Sequence, residues 1–161
     1  MTGVLRSPRP DEVDPIAGWH PIEPDEVRAW WELDYVRPWV MLDDKDRLIA
    51  YGELWVDAEE DEVELARLIV DPALRGRGYG KQLTRELMAK AAETELGTTM
   101  LRTTPDNVVA IGCYLACGFV RLPPDEEAEW NEGQRRDWVW MILPKPADGR
   151  SVAAKPHGGA P

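Results

Sequence analysis

Apolar residues run almost without a break from Val63 to Val70, then recur at four-residue steps at Leu83, Leu87 and Ala91, with Met88 beside them. The first pattern predicts a central strand covered on both faces, and the second an amphipathic helix with one buried face. Between them Asp71-Pro72 stops the strand and Arg75-Gly76-Arg77-Gly78-Tyr79-Gly80 makes a glycine-studded loop. A strand that feeds a helix this way leaves the first helical N–H groups without partners in the helix, which creates an anion pocket. The three glycines let a large anion approach that backbone without meeting a Cβ.

The rest of the chain is organised around this unit. Residues 4–6 form a short strand, and Asp11 to Trp19 a weak helix that Pro15 is expected to break. A better helix starts at Pro24-Asp25-Glu26 and reaches about Leu33, with Val27, Trp30 and Trp31 on one face. Trp39 to Leu42 and Leu48 to Val56 read as strands joined by a turn at Asp43-Asp44-Lys45-Asp46. The stretch Asp57 to Glu64 carries six acidic residues in eight, and Asp57 to Glu62 is expected to be a solvated turn leading into the central strand. Beyond the helix that closes before Gly97, Thr99 to Thr103 is a strand. A helix from Val108 to Ala116 follows and stops at Gly118. Phe119 to Leu122 and Trp138 to Leu143 are strands flanking an acidic loop from Pro123 to Arg136, a candidate lid or contact surface.

One sheet with helices packed on it follows from this order, a mixed α/β (α+β) layer in one domain over residues 1–144. Residues 145–161, rich in Pro, Gly and Ala, have almost nothing to bury and are expected to be a disordered tail.

Composition narrows the function. A net charge of -11 and a pI near 4.6 argue against broad nucleic-acid binding and suit a cationic ligand, or simple solubility. No apolar run approaches the ~20 residues that cross a bilayer, and the first residues lack the apolar centre of a signal peptide. The expectation is a cytoplasmic protein without membrane contact. Cys113 and Cys117, four apart on a helix, read as packing residues. With His20 and His157 far away, no metal site is expected.

Three phosphate-binding loops can be tested against the glycines. A dinucleotide fingerprint from Gly76 and Gly78 would need glycine at Lys81, and a Walker A loop ending at Gly80-Lys81 would need glycine at Arg75 and a hydroxyl at Gln82. Both fail. Arg75-Gly76-Arg77-Gly78-Tyr79-Gly80 does resemble the R/Q-x-x-G-x-G/A acyl-coenzyme A loop of the GNAT N-acyltransferase superfamily. In addition Asn107-x-x-Ala110-x-x-x-Tyr114-x-x-x-Gly118-Phe119 resembles the superfamily's other sequence block, in the expected order. The resemblance covers about Arg37 to Leu143.

It implies a single, mostly antiparallel sheet with helices on both faces, and acetyl-CoA as acyl donor to a primary amine. The pantetheine arm is then expected along Leu68, Ile69 and Val70, where two strands splay. The pyrophosphate is expected on the amides of Gly76, Arg77, Gly78, Tyr79, Gly80 and Lys81, with Arg75 and Arg77 adding charge. Glu64, eleven positions before Arg75, matches the place of a glutamate general base in several members; the plain alternative is a solvent-facing strand residue. Glu53 is the reserve candidate, and Glu62 is expected at the turn edge. Tyr114 matches a tyrosine that protonates or stabilises the leaving thiolate, against a purely packing role. Asn107 bonds the cofactor or caps its helix. Trp130, Trp138 and Trp140 wall the acceptor site or pack the sheet.

A non-catalytic acyl-CoA-binding regulatory module and a nucleotide-binding protein are the competing readings. The acceptor's identity is open, and the sequence is compatible with a homodimer without fixing the oligomeric state.

Overall fold

The computed structural model describes residues 3–145. The expected tail lies almost wholly outside them. Seven strands form one sheet in the order β1-β2-β3-β4-β5-β7-β6. The strands are β1 (Val4–Arg6), β2 (Val36–Leu42), β3 (Leu48–Asp57), β4 (Glu62–Val70), β5 (Thr98–Thr103), β6 (Val120–Arg121) and β7 (Val139–Ile142). Among the described residues only β4 and β5 pair in parallel, the arrangement that the intervening helix crossover requires.

Strand alternation sorts the side chains onto two faces. One face carries Leu54, Val63, Leu65, Leu101 and Met141 and buries them under Leu83, Leu87 and Ala91 of α3 (Tyr79–Glu93). Ile111 and Tyr114 of α4 (Val108–Ala116) pack on the same cluster. The opposite face is covered in two patches. Val40 and Tyr51 lie under α1 (Val13–Trp19) and α2 (Pro24–Trp31), which supply Ile16 and Val27. Met100 and Trp140 lie with Trp130 of α5 (Pro124–Asn131). Between the patches the sheet carries the buried carboxylates Glu53, Glu62 and Glu64.

Several elements depart from expectation. Pro15 does not break α1: it sits in the first turn, where a backbone N–H has no intrahelical partner to lose. Strand β2 begins at Val36 and includes Pro38, which lies past the last β1 pair, Arg6↔Val40, on an unpaired edge where proline is tolerated. The acidic segment after β6 contains α5. Pro124 and three acids, Asp125, Glu126 and Glu127, begin it and suit the positive end of a helix. Apolar periodicity could not announce this helix, because Trp130 is its one buried residue. It is tied down: Asn131 Oδ1 accepts from Trp138 N and Trp140 Nε1, each at 2.9 Å.

Candidate active site

The loop after β4 has the geometry that its glycines require. Asp71 accepts a hydrogen bond from Ala73 N (3.0 Å) and sets a short 3-10 turn, Pro72–Leu74. Gly76 and Gly78 have φ of 78° and 87°, a region that L side chains enter at a cost of roughly 1–2 kcal/mol. No atom lies within 4 Å of where a Cβ would stand on either, so the backbone is approachable from outside. Gly78 caps α3, and the exposed Arg75, Arg77 and Lys81 enter no ion pair among the described residues.

Beside this loop the sheet opens. Pairing of β4 with β5 runs from Glu62↔Thr98 to Leu65↔Leu101 and stops, although β4 continues to Val70 beside β3. The cause lies two residues on. Between Tyr51↔Ile69 and Glu53↔Ala66, Gly52 of β3 faces two residues of β4, a bulge in which Arg67 adopts φ 51°. Bulges bend a strand and end its pairing. Leu68, Ile69 and Val70 are thus left half-buried, with an edge that no other strand among the described residues uses.

Tyr114 packs edge-on against Phe119, ring centroids 6.3 Å apart. Its hydroxyl has no protein partner among the described residues, and burial pushes its pKa up to about 12, so it remains a proton donor at neutral pH. Asn107 caps α4 by accepting from Ala110 N (3.2 Å); its side-chain amide hydrogens bond no protein group among the described residues.

On the face shared by α2 and α5, buried charges sit among tryptophans. Glu53 is fully buried and satisfied: Trp55 Nε1 (2.8 Å), Arg67 Nη1 (2.7 Å) and the Tyr51 hydroxyl all donate to it. The Arg67 guanidinium stacks 3.9 Å from the Trp30 ring centroid. Next to them Arg102 holds Glu64 in a two-pronged pair, Nε–Oε2 2.9 Å and Nη2–Oε1 3.3 Å, and lies 4.8 Å over Trp140. Burial outweighs this arginine and pushes the Glu64 carboxyl up to about 7. His20, edge-on to Trp30 (5.3 Å), is held down to about 4 by burial and by Arg67, and is neutral at pH 7.

Glu62 is unlike the others. It was expected at the turn edge, yet it is 2% exposed, and neither carboxylate oxygen has a hydrogen-bond partner among the described residues. Burial, together with Asp57, Glu60, Glu64 and Asp61, pushes its pKa up to about 8. It lines a cavity of about 320 Å³ whose walls include Tyr35, Trp55, Met100 and Glu64.

A strand whose edge opens next to a glycine-capped helix is the setting in which the comparisons with known proteins agree. The acetyltransferase (GNAT) family model matches residues 5–119. The chain belongs to the GNAT family. Mycothiol acetyltransferase of Rhodococcus erythropolis is 33% identical over 114 residues, covering 67% of this chain and 38% of that protein. N-alpha-acetyltransferase RimI of Mycobacterium tuberculosis is 39% identical over 61 residues, covering 38% of this chain and 37% of that protein. The matches therefore span less than half the length of these curated relatives. Among solved structures, a spermidine N-acetyltransferase SpeG chimera from Vibrio cholerae and hSSAT superposes with a TM-score of 0.73 at 19% identity, covering 89% of this chain and 95% of that one. The ribosomal-protein-S18-alanine N-acetyltransferase from Escherichia coli gives 0.66 at 17%, covering 93% and 99%. These two likenesses show the fold: the mixed sheet with helices on both faces is that of GNAT acetyltransferases.

Against this frame, the expected cofactor residues from Leu68 to Lys81 lie along one continuous path, open strand edge then loop. Glu64 and Glu53 sit on the same face of the sheet but in separate arginine pairs. Trp138 stacks on Arg102 (5.5 Å), whereas Trp130 and Trp140 pack on each other (5.4 Å). Sequence reasoning missed Arg67, Arg102 and Trp55. For Arg67 a signal existed: a lone cation inside the apolar run Leu65-Ala66-Arg67-Leu68. Arg102 gave none, because its partner Glu64 is 38 residues away. Among the described residues no helix is long and apolar enough to cross a membrane.

Proposed function

We propose that this GNAT protein is an acetyl-CoA-dependent N-acetyltransferase that acylates a primary amine of a small molecule, peptide or protein. The observation that carries the reading is the end of β4–β5 pairing at Leu65, which leaves Leu68, Ile69 and Val70 as an open edge running into the Gly76–Lys81 loop. That edge has backbone groups free for a pantetheine arm, and the loop has bare amides and the cations Arg75, Arg77 and Lys81 for a pyrophosphate. The helix N-terminus favours such an anion by roughly 0.3–2 kcal/mol. Asn107, with free amide hydrogens, offers a further donor at the start of α4.

Acetyl-CoA supplies the activated acyl group; the chain's own residues manage protons and position. An alkyl amine, with a pKa near 10.4, is protonated at pH 7 and must lose a proton to attack. Glu64 is the base: its raised pKa makes it a fitting acceptor near neutrality, and the Arg102 pair fixes its orientation. Tyr114 is the donor to the departing thiolate, with a hydroxyl that no protein group occupies. The relatives' names, mycothiol acetyltransferase, N-alpha-acetyltransferase and spermidine N-acetyltransferase, support the reaction class without selecting an acceptor. The same reading puts the protein in the cytoplasm, where the free thiols Cys113 and Cys117 remain reduced.

Release of free thiol from acetyl-CoA across a panel of diamines, amino acids, aminoglycosides and short peptides tests the proposal. At least one amine is expected to accelerate release. Tight acetyl-CoA binding with no release on any amine would instead mark a non-catalytic acyl-CoA-binding module.

A further inference from the structure

A buried carboxylate ordinarily finds donors, because leaving it bare costs several kcal/mol. Glu53 and Glu64 obey this rule and Glu62, on the same face, does not. Both of its oxygens are closed off from solvent and unpartnered among the described residues, and the residue lies against a cavity whose lining residues include no lysine or arginine. Trp55 and Tyr35, packed edge to face at 5.8 Å, form an aromatic wall, and Asp57 and Glu59 stand at the same cavity. Aromatic faces and an unpaired carboxylate together are what an alkylammonium needs, through cation–π attraction and charge-assisted hydrogen bonds.

Position along the strand gives this cavity its role. Glu62 precedes Glu64 by two residues on the same face, about 7 Å farther from the open edge of β4. We infer that Glu62 binds a second cationic group of the acceptor, so that the preferred substrate carries two ammonium groups about 7 Å apart, one at Glu62 and the reacting one at Glu64. This inference rests on the acetyltransferase reading for the role of Glu64, but not for the binding of the cation. The pKa of the Glu62 carboxyl is raised by burial and by its acidic neighbours Asp57, Glu60, Asp61 and Glu64, so Glu62 turns into the cavity and gives up its proton when an ammonium arrives. Two sources present the same chemistry, a free diamine and a peptide whose lysine follows its N-terminal residue.

The test is calorimetric titration of the full chain, without acetyl-CoA, using 1,4-diaminobutane, n-butylamine and glycyl-lysine amide. The diamine is expected to bind ~10-fold or more tighter than the monoamine, as one charged hydrogen-bonded contact provides. At pH 7, buffers of different ionisation enthalpy should report proton release with the diamine. Glu62→Gln should bring diamine affinity down to that of the monoamine and abolish the proton release. The glycyl-lysine arm assigns the source: tighter binding than the diamine points to peptides, weaker to free diamines.

Folding of the variant is checked by its own signature. Glu62 has a folded pKa raised from 4.5 to about 8, so the native state holds the extra proton between those values and loses stability as pH rises through them. Glu62→Gln should therefore melt about 3 °C or more above wild type at pH 9, with the difference shrinking toward pH 4. Equal wild-type affinity for diamine and monoamine, or discrimination that survives in Glu62→Gln, would overturn the inference. Diamine binding through Glu62 with no thiol release on any amine would leave the subsite standing and remove the transferase reading. Thiol release with monoamines and diamines alike, indifferent to Glu62→Gln, would do the reverse.

Discussion

The two ends of β4 solve opposite problems. Toward Val70 the strand offers backbone: an open edge, glycines at positive φ and exposed cations with no partner among the described residues. Toward Glu62 it offers side chains: buried carboxylates, guanidinium groups stacked on tryptophans and a cavity with an acidic wall. An end that binds by backbone is specified locally, by residues adjacent in sequence. An end that binds by buried charge depends on which strands become neighbours. In the proposed reaction the same element holds a shared type of donor at one end and a particular acceptor at the other.

The contrast can be broken at either end. The largest effect is expected from Glu53→Ala, which strands the Arg67 guanidinium in the interior and should cost about 3–5 kcal/mol in urea denaturation. A loss below 1 kcal/mol would mean that the network is not what secures the bulge. Glu64→Gln is expected to lower kcat ~1,000-fold at pH 7. In wild type the rate should rise with pH through about 7 as this carboxyl ionises, and the variant should lose that rise. A preserved profile would move the base elsewhere.

Tyr114→Phe should reduce kcat ~100-fold while the Kd for acetyl-CoA changes little, since the ring still packs on Phe119. An unaltered rate would leave the tyrosine a packing residue. Gly78→Asp should weaken acetyl-CoA binding ~10-fold by combining backbone strain with a carboxylate at the helix N-terminus, read by direct titration. Unchanged affinity would detach the loop from the pyrophosphate and leave the cofactor end without its defining contact.

How much was legible in the chain differs between the ends for the same reason. The loop could be read as an anion site because its strand, glycines, cations and helix are consecutive, from Val63 to Ala92. Glu64 and Tyr114 could be picked out as candidates by position, but Arg102, which holds Glu64, could not. Helix α5 was missed because one tryptophan, not a repeating apolar face, anchors it. Glu62 was misplaced because a run of acidic residues reads as a solvated turn, and only the fold buries one of them.

Local order in the sequence determined the elements, the crossover through α3 and the loop's capacity for an anion. These follow from apolar spacing and from which residues tolerate positive φ. Tertiary structure alone decided where β4 parts from β5, because that depends on Gly52 of one strand facing two residues of another. It decided too which carboxylate in an acidic stretch is enclosed without a partner among the described residues, since burial and pairing are set by residues brought together from β3, β4 and β5.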